Sequence, residues 1–149
     1  MSSTFRIPHA VVAETDGALE QAVTLDATLR SYGQLASAAV IGCRWYLDFD
    51  YFSSHNDGLE IAKVREVPRW RESDAFTDLE RDVMEYAEAM STTPPTVTDW
   101  MVDKLVDQLG RSAVGELTQV VAVENMRLRF NSAAGLQSQG YPEARLLEG

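Results

Sequence analysis

The stretch that most restricts the fold is Gly42-Cys43-Arg44-Trp45-Tyr46-Leu47-Asp48-Phe49-Asp50, which contains the only cysteine of the 149-residue chain. A helix with a Cys-x-x-Cys-x-x-x-His arrangement supplies an attacking thiol, a resolving thiol and a proton carrier. This chain has Cys43, Tyr46 and Asp50 at those three places. The stretch therefore predicts a motif helix that keeps the attacking thiol and lacks the other two groups.

Length and charge exclude several classes of function. A chain of 149 residues fits one domain with a real core. Its 13 basic and 23 acidic residues give a net charge of −10, which repels nucleic acid and anionic membranes. One cysteine cannot form an internal disulfide, residues 1–13 lack the features of a secretory signal, and no apolar run approaches the roughly 20 residues of a membrane span. We therefore expect a cytoplasmic domain with neither nucleic acid nor membrane as a partner.

Apolar residues recur at helical spacing along most of the chain, and strand signals are few. The sequence thus predicts an all-α fold of about six helices. The predicted helices are 18–23, 29 to the break at Gly42, 44–57, 59–67 stopped by Pro68, 77 to the break at 92–95, a helix capped by Thr96 or Thr98 that ends at Gly110, and 112–134. Residues 68–76 are predicted to be a linker.

Some polar and aromatic residues have specific predicted places. Thr77 and Glu80 form a capping box at the start of a helix. The run Glu80-Arg81-Asp82 is assigned to the solvated back of that helix. Trp70 and Trp100 are interpreted as packing anchors, which is a commoner role for tryptophan than ligand stacking.

The last helix has two polar residues on its apolar stripe. Its buried stripe is predicted to be Ala113, Leu117, Val121 and Leu128, and Glu124 and Asn131 fall on the same stripe. A buried carboxylate is costly unless it is paired, so Glu124 needs a donor such as Arg127 or Arg129, or a raised pKa. This arrangement suits either a structural hydrogen-bond network or part of a pocket.

The motif helix offers further candidates. Cys43, Tyr46 and Asp50 lie within about 60° on one helix face, so they either line a small pocket or pack as inert neighbours. Arg44 and the helix N-terminus favour the thiolate of Cys43, whereas Asp48 and Asp50 act against it. His55 lies about a third of a turn away and is a weaker candidate. The residues Trp45, Phe49 and Phe52 form an aromatic stripe more typical of a core or subunit contact than of a flavin or haem site, and no zinc spacing is present. We expect no cofactor and no metal.

Several stretches, taken in order, resemble one superfamily. They are Leu29-Arg30 leading to Gly42-Cys43-Arg44-Trp45, Gly58-Leu59, Trp70-Arg71-Glu72-Ser73, Phe76-Thr77-Asp78-Leu79-Glu80-Arg81, Tyr86-Ala87-Glu88-Ala89-Met90 and Glu124-Asn125-Met126-Arg127-Leu128-Arg129-Phe130-Asn131. Over roughly residues 25–141 the chain resembles the carboxymuconolactone decarboxylase and alkylhydroperoxidase D-like superfamily.

The resemblance implies an all-helical domain that forms dimers, trimers or hexamers, with the motif helix beside a pocket near subunit contacts. Members divide into thiol peroxidases and decarboxylases. The glutamate that peroxidase members carry twelve residues before the first cysteine falls at Ser31. We expect an N-terminal arm over 1–16, the helical domain over 17–141 and a tail over 142–149.

Three functions remain open from the sequence. One is antioxidant, peroxiredoxin-type reduction of hydroperoxides through Cys43 with an external thiol. Another is acid–base chemistry on a small organic acid, and the third is a non-catalytic oligomeric binding protein. The predicted catalytic residues are Cys43, Tyr46, Asp50 and Glu124, and the predicted supporting pocket residues are Arg44, His55, Arg127, Arg129 and Asn131.

Overall fold

The computed structural model describes residues 24–42 and 59–134 of the chain, and within these ranges all regular structure is helical. The α-helices are α1 (Ala27–Ile41), α2 (Ile61–Glu66), α3 (Asp78–Ser91), α4 (Asp99–Leu109) and α5 (Arg111–Ala133). A 3-10 helix, Val67–Glu72, follows α2 directly. The all-α prediction is confirmed. The predicted helices 18–23 and 44–57, the arm and the tail lie outside the described residues.

α1 begins and ends at residues suited to those positions. The Oδ1 atom of Asp26 accepts hydrogen bonds from the backbone N–H groups of Thr28 at 2.9 Å and Leu29 at 3.3 Å, which caps the helix. Gly42 follows the last turn with φ of 77°, a left-handed conformation that favours glycine. Its N–H donates to the carbonyl of Ala38 at 3.1 Å. The predicted break at Gly42 is therefore a helix C-terminus.

The core lies where α1, α3 and α5 pack together, and α4 covers the side formed by α3 and α5. Several large side chains there are almost completely buried: Tyr32, Val83, Met84, Leu105, Leu117, Val121 and Leu128. All four residues of the predicted stripe on α5 are buried. Burial on this scale stabilises by about 1.5–3 kcal/mol for each large apolar side chain.

Gly33 allows α1 to approach α5 closely. A Cβ atom built at this position would lie 2.8 Å from Cδ1 of Leu117 and 3.6 Å from Cγ2 of Val121. The shorter distance is below van der Waals contact, and Leu117 is completely buried. The contact between the two helices therefore depends on the missing side chain at Gly33.

The segment predicted as a linker after Pro68 is partly helical. The 3-10 helix places Pro68 near its start, where the missing N–H of proline costs nothing. Trp70, within this helix, is only 5% exposed. Sequence periodicity missed the element because a 3-10 helix of six residues is too short to show a repeat.

Glu80 was wrongly assigned to the solvated back of its helix. Thr77 does cap α3, since its Oγ1 accepts from the N–H of Glu80 at 3.2 Å. The Glu80 residue itself is buried, however, and Arg81 and Asp82 are half-buried. All three make contacts with residues distant in sequence, which periodicity within one helix cannot reveal.

Trp100 does not serve as a core anchor. It is 69% exposed at the start of α4, although the helix begins at the predicted cap, where Oγ1 of Thr98 accepts from the N–H of Met101 at 3.3 Å. α4 instead packs through its opposite face, where Leu105 is completely buried. In the part of the chain that the structure describes, no helix combines the length and apolarity that crossing a membrane requires.

Candidate functional site

The helix that leads to the motif cysteine is held firmly at its start. Both oxygens of Glu116 on α5 accept backbone hydrogen bonds, from Thr24 at 3.0 Å and from Leu25 at 2.8 Å. Hydrogen bonding to Thr24, followed by that to Leu25 and the charge of Arg30, lowers the pKa of Glu116 despite an opposing effect of desolvation. The carboxylate thereby fixes the entry into α1.

α1 ends one residue before Gly42, and Cys43 follows that glycine. Five of the predicted site residues lie outside the described residues: Cys43, Arg44, Tyr46, Asp50 and His55. The described chain resumes at Leu59, which packs against the core and precedes α2. The structure therefore defines both points where the motif segment, residues 43–58, joins the described fold.

A partly buried polar cluster joins side chains of α1, α2 and α3. Nζ of Lys63 on α2 donates to both carboxylate oxygens of Glu80, at 2.8 and 2.7 Å. The same ammonium lies 5.6 Å from the ring centroid of Tyr32 and 5.5 Å from that of Phe76. These two rings contact each other edge to face at 5.5 Å. We call these four residues the Lys63 cluster.

Burial and charge perturb two groups of the Lys63 cluster. Burial is the largest influence on Tyr32 and raises the pKa of its hydroxyl above the usual 10.0, while Lys63 acts in the opposite direction. For Lys63, desolvation acts to lower the pKa, but the hydrogen bond to Glu80 and the neighbouring charges outweigh it and raise the pKa above 10.5. Lys63 is therefore a firmly held cation at neutral pH and is not a base.

A second polar network surrounds Trp70. Its Nε1 donates to Oε1 of Glu88 at 2.8 Å, and Arg71 donates to the other oxygen of that carboxylate. Arg81 donates to the carbonyls of Trp70 at 3.2 Å, Arg71 at 3.1 Å and Ser73 at 2.9 Å. The guanidinium groups of Arg71 and Arg81 also lie 4.3 and 5.4 Å from the Trp70 ring. These contacts lock the 3-10 helix onto α3, which is a structural role.

The predicted site residues on α5 are partly brought together. Nη1 of Arg127 lies 3.3 Å from Oε2 of Glu124, and the Glu124 side chain is 12% exposed. The expected cationic donor for Glu124 is thus found one turn away. Asn131 is half-buried on the same helix.

Arg129 is directed elsewhere. Its Nη2 donates to the carbonyl of Ser91 at 3.2 Å and to Oγ1 of Thr93 at 3.1 Å. Asn125 donates to Oγ of Ser91 at 2.9 Å. Arg129 and Asn125 therefore fasten α5 to the end of α3, and Arg129 is not the donor to Glu124 that the sequence offered as an alternative.

Ser31, the position of the family's glutamate, holds no acidic group. It is buried on α1, and its Oγ donates to the carbonyl of Ala27 at 3.0 Å. Among residues 24–42 and 59–134, no group of three or more histidine, cysteine, aspartate or glutamate side chains could hold a metal ion.

The Lys63 cluster could not be recognised from the sequence. Lys63 and Glu80 are 17 residues apart and belong to different helices. No local spacing signals such a pair. A lysine next to Val64, the one buried residue of α2, was the sole indication.

The chain belongs to the carboxymuconolactone decarboxylase family, whose family model matches residues 7–89. A relative from Escherichia coli strain K12, the uncharacterized protein YnjA, is 36% identical over 124 residues, which cover 81% of this chain and 68% of that protein. The superfamily predicted from the motif stretches is therefore confirmed.

Solved structures share the fold at lower sequence identity. A protein of unknown function from Agrobacterium tumefaciens, described as a candidate antioxidant defence protein AhpD, has a TM-score of 0.78 at 18% identity and covers 87% of this chain and 88% of its own. The apo form of debrominase Bmp8 has a TM-score of 0.80 at 21% identity, and the match covers 93% of this chain and 75% of the Bmp8 chain. A cysteine-to-alanine variant of Bmp8 in complex with 2,3,4-tribromopyrrole has a TM-score of 0.80 at 20% identity, and the match covers 93% of this chain and 74% of the Bmp8 chain.

Proposed function

We propose that this protein is a single-cysteine thiol peroxidase that reduces hydroperoxides through Cys43 and is regenerated by an external thiol. It acts in the reducing cytoplasm as a homo-oligomer. The catalytic group is the Cys43 thiolate, and Tyr46, Asp50 and Glu124 belong to the pocket around it. Arg44, His55, Arg127, Arg129 and Asn131 support that pocket.

The observation that carries the proposal is the place of Cys43 in the chain. It follows directly after Gly42, the capping residue of α1. The resemblance to the family implies that Cys43 matches the first cysteine of the peroxidase motif. α1 is packed between α3 and α5 and fixed at its start by Glu116. A nucleophile attached to such a helix starts from a well-defined point, which favours a preorganised site.

The reaction balances with one cysteine. The thiolate attacks the distal oxygen of the hydroperoxide and the O–O bond breaks, which gives a sulfenic acid and, after proton uptake, an alcohol. An external thiol then displaces water from the sulfenic acid and forms a mixed disulfide. A second external thiol attacks this disulfide, which releases the Cys43 thiol and an oxidised disulfide. The chain has no second cysteine to replace the external thiol.

The fold neighbours support thiol chemistry as the class of reaction. One is described as a candidate antioxidant defence protein. Another is a debrominase whose cysteine-to-alanine variant was studied with a tribrominated pyrrole. Reductive removal of bromide by two thiols, which gives the debrominated ring, a disulfide and hydrogen bromide, is therefore a second reaction to test with the same cysteine.

The test compares the protein with its Cys43→Ser variant. The rate of Cys43 alkylation by iodoacetamide is measured over a range of pH around neutrality, and sulfenate formation is followed by mass spectrometry after addition of hydrogen peroxide or cumene hydroperoxide. The proposal expects an apparent thiol pKa below about 7 and catalytic peroxide loss with added thiol that Cys43→Ser abolishes. A pKa near the unperturbed value of about 8.5, together with no sulfenate, would refute it.

Acid–base chemistry on a small organic acid is the alternative to thiol chemistry. The pairing of Glu124 with Arg127 at 3.3 Å bears on it, because it places a carboxyl group and a cation, the two kinds of group that such chemistry uses, side by side on α5. This alternative expects activity that survives Cys43→Ser and is lost in Glu124→Gln. If the protein is a non-catalytic binding protein, neither result is expected. It should then form a stable oligomer, whose size sedimentation measures.

A further inference from the structure

The start of α4 presents a large apolar side chain to solvent. Trp100 is 69% exposed, whereas the other large apolar side chains that are exposed in the described part of the chain do not exceed 45%. A tryptophan side chain can bury about 150–250 Å², and tryptophan is enriched among the residues that contribute most to binding between proteins. A single exposed apolar residue is common, so its surroundings decide whether it marks a contact.

Two aspartates share the outward side of α4 with Trp100. At about 3.6 residues per turn, Asp103 lies about 60° and Asp107 about 20° from Trp100 around the helix, whereas the buried Leu105 lies about 140° away. Both aspartates are exposed. We call Trp100, Asp103 and Asp107 the Trp100 face, and it points away from the core.

The Trp100 face is negatively charged. Among the residues that the structure describes, neither Asp103 nor Asp107 makes an ion pair. The one basic residue of α4 is Lys104, and its ammonium lies 2.9 Å from Asp82 and 3.6 Å from Glu85 on α3, so its charge is already balanced. The face therefore combines an exposed indole with two carboxylates that a further cation can approach.

We propose that the Trp100 face is a docking surface for a basic segment of another protein. An apolar side chain of that segment packs on the indole, and its lysine or arginine side chains pair with Asp103 and Asp107. Charge complementarity selects this occupant, because a two-fold contact between copies of this chain would set the same acidic face against itself. The proposal does not involve Cys43 and goes beyond the proposed function.

The first experiment measures binding of a defined probe by fluorescence anisotropy. The probe is a short labelled peptide in which leucines are flanked by lysines, and its counterpart has glutamate in place of every lysine. The variants are Trp100→Ala and the double variant Asp103→Asn with Asp107→Asn. The double variant Glu72→Gln with Asp74→Asn is the matched control, because it removes the same charge from exposed residues at the end of the 3-10 helix.

Docking predicts that the lysine peptide binds and the glutamate peptide does not. Trp100→Ala and the aspartate variant should each weaken binding by about tenfold, as expected for an anchor and its charged neighbours. The control variant should leave the affinity nearly unchanged. Equal weakening by the control would show attraction to the net charge alone and would overturn the proposal. It would equally be overturned if the lysine peptide did not bind or if Trp100→Ala had no effect.

The second experiment tests whether the face is free in the protein as it exists. Trp100 fluorescence is obtained as the difference between the unmodified protein and Trp100→Phe, and it is quenched with caesium or iodide ions. A free acidic face predicts stronger quenching by caesium, because carboxylates attract the cation and repel the anion. Sedimentation of Trp100→Ala should show an unchanged assembly. A smaller assembly, or a ring that neither ion reaches, would show that the protein itself covers this face and would refute docking of a basic partner.

Discussion

The two sides of α3 carry the same kinds of residues in different surroundings. On the inner side, towards α1, α2 and the 3-10 helix, Glu80 binds Lys63 and Glu88 binds Trp70. On the outer side, towards α4, Asp82 binds Lys104, whose ammonium lies 5.7 Å from the ring of Trp100.

Burial is what separates the two sides. Trp70 is 5% exposed and Trp100 is 69% exposed. The hydrogen bond to Asp82 is the largest influence on Lys104 and raises its pKa. The largest influence on Lys63 is desolvation, which acts to lower the pKa, but the hydrogen bond to Glu80 and the neighbouring charges outweigh it and raise the pKa. We therefore expect the loss of solvent around a contact, and not residue type or pairing alone, to determine how much that contact contributes to stability.

The largest effect should separate the two tryptophans. Trp70→Ala removes a buried ring and leaves Glu88 without its indole donor, so we expect a loss of about 3–5 kcal/mol in the free energy of unfolding. Trp100→Ala should cost less than about 0.5 kcal/mol, as is usual for exposed positions. Urea denaturation measures both. Similar losses would show that the outer side is covered in solution.

The two lysines should differ in the same direction. Lys63→Met leaves the largely buried carboxylate of Glu80 without its cation and should destabilise by about 2 kcal/mol. Lys104→Met should cost about 1 kcal/mol or less, since both partners are more accessible and Asp82 retains Gln108 as a donor at 3.0 Å. The double variant Lys63→Met with Glu80→Met provides the control, because it leaves no unpaired charge and should recover much of the loss.

Two glycines test whether the close packing on the inner side of α3 extends to the contact between α1 and α5. Gly33→Ala forces contact with Leu117, and we expect a net loss of about 1 kcal/mol after the gain in helix propensity. A Cβ atom at Gly115, on α5, would meet no atom within 4 Å. Gly115→Ala should therefore raise the free energy of unfolding by up to about 1 kcal/mol. Thermal unfolding of the pair gives the comparison. Equal gains at both positions would mean that Leu117 moves aside freely.

The smallest effect concerns alkaline pH. The pKa values of Lys63 and Tyr32 are raised above 10.5 and 10.0 in the folded protein, so both groups contribute stability that is fully present below those values. This contribution is lost as the pH rises above about 10, because the unfolded chain then releases its protons first. Unfolding measured on both sides of that pH should show a shallower loss for Tyr32→Phe than for the unmodified protein, because the variant has no phenol to ionise in the unfolded chain. A steeper loss would contradict the sign.

Much of the fold could be predicted because its helices follow local rules. The cap at Thr98, the left-handed Gly42 and the stripe of α5 each depend on residues within one or two turns. Such features are visible in sequence because capping and periodicity act over short distances. The pairing of Glu124 with Arg127 belongs to the same class, since these residues are one turn apart.

Contacts between distant elements could not be predicted in this way. Glu80 resembled a solvent-facing residue because its partner Lys63 lies on another helix, and Trp100 resembled an anchor because aromatic residues are usually buried. The predicted residues Cys43, Arg44, Tyr46, Asp50 and His55 lie outside the described part of the chain, and their roles remain predictions.

The sequence by itself determined the helical class and the family, because periodicity, capping and the motif order are properties of neighbouring residues. Only the tertiary structure decided which charges are buried, which tryptophan is covered and where the motif segment is attached. Those outcomes depend on desolvation, which is set by the packing of residues far apart in the chain.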